Sequence, residues 1–363
     1  VKRMQSFTQV MPGEKLGCVG CHERKTSGTV RRAVSVSKAL ARGPSKIDPS
    51  GCLFDVADFP RDVQPVLDRS CVKCHNPDTR SGGLDLCGDR NPMFSMGYYG
   101  LIAWNQVLDG RNLVQSDWPP YARGSGGSPL MKKIDGSHHG VKVCERDRRM
   151  LMQWLDASAP YAGTYAAGGC GYLGGEKSLN FHNNTAGTPA TKAAVAVMAR
   201  RCDTCHNQAA NRLPHSLTDH NGLQFRWRGA GHWTLDLTNP RYRHYHRYLV
   251  FDLSRPEKSL FLKAALAKEA GGLGICRTKD GKPVFTSTDD PDYKTLLAMI
   301  VEGKELLEKE TRFDMPNFCP NPEYLREMIR FGILPENFDP SKTPVNAYDL
   351  DRRYWNIDWT TID

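Results

Sequence analysis

Three stretches of the chain carry two cysteines and a histidine at one fixed spacing. They are Cys18-Val-Gly-Cys21-His22, Cys71-Val-Lys-Cys74-His75 and Cys202-Asp-Thr-Cys205-His206. Two thiols three residues apart, with an imidazole directly after the second, match the C-x-x-C-H pattern of covalent c-type haem attachment. The thiols add to the haem vinyl groups and the histidine becomes the proximal iron ligand. The competing chemistry is structural zinc, because C-x-x-C is also half of a tetrahedral zinc site. Zinc does not require the adjacent histidine. It also draws its remaining ligands from a second pair, and the chain has no bare C-x-x-C. Three haems are therefore expected, held by Cys18, Cys21, His22, Cys71, Cys74, His75, Cys202, Cys205 and His206, with His22, His75 and His206 on iron.

The far side of each iron decides the chemistry. Two protein ligands saturate the metal and suit electron transfer, a methionine in place of histidine raises the potential, and an open position admits a small molecule. Eight histidines lie outside the three motifs. Among them His232, His244 and His246 are weaker candidates for the third haem. In Arg241-Tyr-Arg-His244-Tyr-His246-Arg-Tyr248, read as a strand, Tyr242, His244, His246 and Tyr248 share one face. Arg241, Arg243 and Arg247 are then free to meet haem propionates. An ordinary edge strand with a basic side is the plainer alternative. The first haem has no local candidate.

The elements around the motifs explain how such ligands would be positioned. Phe59, Val63, Val66 and Leu67 recur at helical spacing before Cys71, with Pro65 tolerable only in a first turn. A Gly-rich turn at Ser81–Gly83, Leu84-Asp85-Leu86 and a long loop with Trp104 and Trp118 follow. Next come Ser128-Pro-Leu130-Met131 and a helix carrying Met150, Leu151, Trp154 and Leu155, stopped by Asp156-Ala-Ser-Ala-Pro160. The plan then recurs. Val195 and Met198 precede Cys202, Leu235-Asp236-Leu237 echoes Leu84–Leu86, and Ser259-Leu-Phe-Leu echoes Ser128–Met131. Tyr324, Leu325, Met328 and Ile329 echo the terminal helix. Fifty-three residues separate His75 from Ser128, and also His206 from Ser259; from there the second copy holds about 43 extra residues centred on 271–292. The repeat puts His138 and His139 in the first copy and Met315, followed by Pro316, in the second at equivalent places before the terminal helix. These are the candidate distal iron ligands.

Composition limits the alternatives. The formal charge is +9, but the basic residues are scattered rather than striped, which argues against nucleic acid. An acidic redox partner remains compatible with it. No run approaches the roughly 18 apolar residues of a membrane span. Six cysteines lie outside the motifs: Cys52, Cys87, Cys144, Cys170, Cys276 and Cys319. An even number in an exported chain suggests up to three disulfides. Cys276 would meet Cys319 if the inserted loop folds back over the third haem. Covalent haem attachment and the disulfides both point to a periplasmic or equivalent extracytoplasmic compartment.

The order helix, C-x-x-C-H, loops, terminal helix resembles a class I cytochrome c, where the distal ligand lies shortly before the terminal helix. The expected fold is therefore mainly α with long loops. Residues 1–50 form an N-terminal segment with haem 1, and 51–170 a cytochrome c-like module with haem 2. Residues 171–189 are a linker, and 190–363 a second module with haem 3 and an insertion. Several stretches also resemble the C-terminal haem-bearing region of the hydrazine synthase α-subunit and its planctomycete relatives. They are Met4-Gln-Ser-Phe-Thr8 with Pro12-Gly-Glu14, Asp62-Val-Gln-Pro-Val-Leu-Asp-Arg-Ser-Cys71, and Gly126-Gly-Ser-Pro-Leu130 through His138-His139. Trp154-Leu-Asp156 with Ala159-Pro-Tyr161, and Tyr324 through Pro335, complete the set. In that family a β-propeller precedes the region, and a tyrosine four residues after one motif histidine binds iron. The matching positions here are Thr26, Thr79 and Ala210, so that catalytic arrangement does not carry over. The resemblance and the motifs together imply an exported triheme cytochrome passing electrons to a redox protein partner or to other subunits of a cytochrome complex. The alternative is a hydrazine-synthase-like, nitrogen-oxide or peroxide enzyme at an open haem.

Overall fold

A computed structural model describes residues 42, 53–108, 118–167, 185–208, 211–218 and 245–356. The first motif (Cys18, Cys21, His22), His232, His244, Cys52 and Cys170 lie outside the described residues, as do Leu235–Leu237 and most of the expected linker. The chain divides into two compact units, Val1–Leu53 with Val114–Pro119, and Phe54–Leu113 with Pro120–Asp363. Nearly all described residues belong to the second unit. The structure is mainly helical, at 45%, and has no strand among the described residues. None of its helices is long and apolar enough to cross a membrane, among the described residues.

The first half forms around the residues leading to Cys71. Asp58 starts a π-helical turn, Phe59–Val63, by accepting the Arg61 N–H, and helix α1, Gln64–Ser70, continues from it. Pro65 falls in the first turn of α1, where its missing N–H costs nothing. Phe59, Val63, Val66 and Leu67 are all buried. Helix α2, Met96–Ala103, occupies part of the stretch expected to be loop. It is capped by Ser95 and buried on nearly every side. Two glycines let it approach the chain behind it. A Cβ on Gly97 would stand 2.7 Å from the Leu86 carbonyl oxygen, and one on Gly100 2.7 Å from that of Asp85. Helix α3, Glu145–Asp156, buries Met150, Leu151, Trp154 and Leu155 and ends as expected, with Ser158 and Ala159 at positive φ.

The second half repeats this entry. Thr188 caps α4, Pro189–Arg201, and Thr191, Ala194, Val197 and Met198 face the core while Val195 lies at its margin. The serines of the two copies do the same work. Ser128 Oγ accepts the Leu108 N–H and donates to the Gly124 carbonyl, and Ser259 Oγ does so with the N–H and carbonyl of Asp252. The extra residues of the second copy run into a long helix, α5, Pro291–Glu310, capped by Asp290 and packed along α4. Helices α6, Pro322–Arg330, and α7, Ala347–Trp355, close the chain.

The ranges 54–167 and 185–356 meet along a seam of buried polar contacts. Arg312 is fully buried and donates to the carbonyls of Asn91 and Phe94 (2.9 and 2.8 Å) and to both oxygens of Asp314. Asp314 also accepts the Tyr161 hydroxyl at 2.6 Å. Asp58 accepts the Tyr348 hydroxyl, and Asp351 accepts those of Tyr324 and Thr164, so α7 is fastened to both copies. Lys258 and Lys263 both donate to Asp78, three residues after His75.

One carboxyl in this seam opposes folding at neutral pH. Asp252 is buried, and its pKa stands well above the usual carboxylate range, first through desolvation and then through the charge of Asp89. A raised carboxyl favours the fold fully below the unfolded pKa of about 3.9, and that stability is lost as pH rises through the folded pKa. Asp252→Asn, neutral at every pH, is expected to flatten this decline. Urea midpoints should then fall less between acid and neutral pH than in the parent protein.

Candidate functional site

The two described motifs share one backbone. Helix α1 ends at Cys71 and α4 at Cys202. In the first, the N–H groups of Cys71 and Val72 donate to Leu67 O, and those of Cys74 and His75 to Cys71 O. In the second, Cys202 and Asp203 donate to Met198 O, and Cys205 and His206 to Cys202 O. Groups three and four residues apart on such a helical turn share a side, so each turn sets two cysteines and a histidine on one side of the chain. Burial holds the first thiol of each pair protonated, Cys71 pushed up to about 11 and Cys202 to about 12, the latter with help from Cys276.

Loops after the motifs fix the rings differently. His206 Nδ1 lies 2.8 Å from the Asn211 carbonyl, and the Asn211 side chain donates to Cys205 O. As donor to that carbonyl, Nδ1 carries the proton and leaves the Nε2 lone pair for a metal. Asn76 performs the turn after His75, accepting the N–H groups of Asp78 and Thr79 while Leu86 N–H donates to His75 O. His75 Nδ1 makes no hydrogen bond within the protein.

His138 stands against His75. Their ring centres are 6.0 Å apart with planes 17° from parallel. The tight turn bearing His138 is pinned by the Asp135–Lys142 bridge and by left-handed Gly136, His139 and Gly140. Partial desolvation, then Lys133, His139 and His75, hold the His138 pKa below its ordinary value. His139 is exposed and packs edge-on to His138 at 4.7 Å. Of the two adjacent candidates, the structure brings His138 to the motif.

A cavity of about 1240 Å³ opens beside the other motif, lined by Cys202, Cys205, His206, Tyr245, Phe261 and Cys276. It exceeds the roughly 300–1,000 Å³ of most small-molecule pockets. Asp78, Thr79, Arg80, Gly82 and Gly83, shortly after His75, line the same cavity together with Trp104. Lys268, Arg277 and Lys279 add positive charge to its lining. Tyr245 sits edge-on to His206 at 5.6 Å. The parity of residues 241–248 as a strand had set Tyr245 on the face opposite the histidines, so nothing in the alternation marked it.

Four expectations are corrected or redirected here. Arg247–Val250 is a helical turn, not strand, because the His246 ring accepts the Tyr248 N–H and caps it. His246 therefore turns into the core, 5.3 Å from Tyr99 and 4.4 Å from Tyr248. Arg247 is not free for an anion. It is buried and donates to Leu217 O and the Tyr248 hydroxyl. Cys276 is not joined to Cys319, and Cys87 and Cys144 are free thiols. The inserted loop does fold over the cavity, but it carries Cys276 toward Cys202 and Cys205, while Cys319 lines a second cavity of about 490 Å³. Met315 lines that second cavity too, with its sulfur accepting the Arg312 N–H at 3.3 Å, and the structure does not bring it to His206.

Among the described residues no group of three or more His, Cys, Asp or Glu side chains is arranged to hold a metal ion. No family model, curated protein or solved structure matches the chain.

Proposed function

We propose that the chain is an exported triheme c-type cytochrome that carries electrons between its haems and to a redox protein partner. The carrying observation is that Asp78, Thr79, Arg80, Gly82 and Gly83, shortly after His75, line the same cavity as Cys202, Cys205 and His206. The loop that follows one attachment motif and the residues of another thus border a single space, which supports electron passage between cofactors. The donor sets fit haem better than a bare ion. A structural metal ion needs about four protein ligands, whereas haem iron needs one or two. His206, with Nδ1 held by a carbonyl, offers one such ligand, and His75 with His138, whose rings are neighbours, supplies candidates for two. Lys268, Arg277 and Lys279 supply charge complementary to propionates.

When bound, haem supplies a reversible one-electron iron couple tuned by its axial ligands. The two cysteines of each motif would hold it through thioethers and the adjacent imidazole would orient it, with Phe261 and the inserted loop lining the space beside His206. The class I cytochrome c-like modules, the first motif and the extracytoplasmic location belong to this proposal. So does kinship with the hydrazine synthase α-subunit region.

Co-expression with a c-type haem maturation system tests it. Pyridine haemochrome assays are expected to give three covalent haems per chain, and Cys202→Ala/Cys205→Ala two. A full complement of zinc with no covalent haem would refute the proposal.

One observation favours a second reading, an enzyme acting on a nitrogen oxide or peroxide at an open iron. Among the described residues, His206 is the only histidine lining the large cavity, and no methionine lines it. Binding of carbon monoxide or nitric oxide by the reduced protein would support that reading. Complete indifference to both gases would exclude it.

A further inference from the structure

Tyr161 stands at the centre of a buried aromatic cluster with a carboxylate on its hydroxyl. It is fully buried, with ring centres 4.8 Å from Tyr98, 5.1 Å from Phe94, 5.5 Å from Phe313 and 6.0 Å from Phe59. Its hydroxyl donates to Asp314 Oδ2 at 2.6 Å, within the short range of O–H···O⁻ bonds. The other phenols of the cluster are placed differently. Tyr98 donates to a carbonyl, that of Ala159, and the Tyr248 oxygen accepts from Arg247. The buried Tyr99 hydroxyl has no hydrogen-bond partner. A carbonyl is a far weaker proton acceptor than a carboxylate, so Tyr161 is the member of this cluster built to lose a proton as it loses an electron.

We propose that Tyr161 is a redox-active tyrosine, giving one electron to a metal-centred one-electron oxidant and its phenolic proton to Asp314. The phenolic O–H bond breaks and a new O–H bond forms on Asp314 Oδ2. The electron leaves to the oxidant, which is reduced by one unit, and Tyr161 remains as a neutral phenoxyl radical. Re-reduction reverses each step. Without the proton acceptor the product would be a phenol radical cation in a low-dielectric interior, which is costly. Arg312 and Arg90 keep Asp314 ionised, so the acceptor is ready beforehand.

A path of rings leads outward. Tyr161 meets Phe94 at 5.1 Å, Phe94 meets Tyr248 at 5.7 Å, and Tyr248 meets His246 at 4.4 Å. His246 follows Tyr245 in the chain, and Tyr245 lies 5.6 Å from the His206 ring. The cluster thus connects the carboxylate-bound phenol to the large cavity. A purely structural role would use the Tyr161–Asp314 bond to hold the seam, but it would predict no radical.

The test uses the full chain with the two strongly exposed tyrosines among the described residues removed, Tyr121→Phe and Tyr165→Phe. Flash-generated tris(bipyridine)ruthenium(III) serves as oxidant, and radicals are followed by electron paramagnetic resonance. A long-lived phenoxyl component is expected, lost on adding Tyr161→Phe to a variant whose circular dichroism and melting stay close to the parent's. Should Tyr161→Phe fail to fold, 3-fluorotyrosine at position 161 keeps the hydroxyl and adds a fluorine splitting to the same component. Absence of a long-lived component, its survival in folded Tyr161→Phe, or a signal without fluorine splitting would each overturn the assignment. Because the oxidant is external, this result is independent of haem. Haem content, counted in the same samples, tests the proposed function separately.

Discussion

Arg312→Leu is expected to destabilise the protein by about 3–5 kcal/mol, the cost of breaking a buried ion pair from one side. The effect is large because several groups are orphaned at once. Asp314 would keep a buried charge with only Arg90 and the Tyr161 hydroxyl to balance it, the Asn91 carbonyl would lose its Arg312 donor, and the Phe94 carbonyl would keep only the Asn91 N–H. Burial alone would raise the Asp314 carboxyl, but the charge and hydrogen bonds of Arg312, with Arg90 and Tyr161, outweigh it and hold the group below its usual range. A depressed carboxyl contributes stability above the unfolded pKa of about 3.9, and that stability is lost as pH falls through the folded value. In the parent, this contribution should therefore persist from neutral pH down to about pH 4 and decline below it. The double variant Arg312→Leu/Asp314→Leu should recover part of the loss, since removing both charges leaves none uncompensated. Urea midpoints for parent, single and double variants across that range check all three expectations. A midpoint unchanged in Arg312→Leu would mean that the seam does not hold the two copies together.

The seam also shows where the sequence could and could not be read. Faces of α1, α3 and α4 were legible because each lies half in the core, so apolar residues such as Val66, Met150 and Met198 fall at helical spacing with their neighbours. Helix α2 was not, because it is buried all round and interrupted by Gly97 and Gly100, which leaves no periodic signal. The motifs were legible as motifs, and the matched hydrogen bonds at Cys71–His75 and Cys202–His206 give that likeness a physical form. The pairing of Arg312 with Asn91 spans more than two hundred residues, and no local pattern reports a contact of that kind. Met315 illustrates the limit of the repeat. Its place in the chain matches that of His138. Its neighbours Arg312 and Asp314, however, are committed to the seam, and the sulfur accepts the Arg312 N–H. Long-range polar pairing outweighs register there.

In the haem-loaded protein, His138→Ala is expected to convert one haem from a closed to an open iron. The residue sits in a partly exposed turn whose shape comes from the Asp135–Lys142 bridge and from glycines, so its truncation should leave stability within about 0.5 kcal/mol. Its ring, however, is the one that faces His75 at 6.0 Å. Removing it should therefore lower the low-spin signal by one haem per chain and create one new carbon monoxide site on reduction, with added imidazole reversing both. His139→Ala is the control. Its ring is exposed and meets His138 rather than His75, so the spectrum should not change. Loss of the low-spin haem in His139→Ala, with His138→Ala silent, would assign the ligand to the wrong neighbour in this structure. No change in either variant would mean that the iron at His75 takes its second ligand elsewhere, and that the facing imidazoles are only packed together.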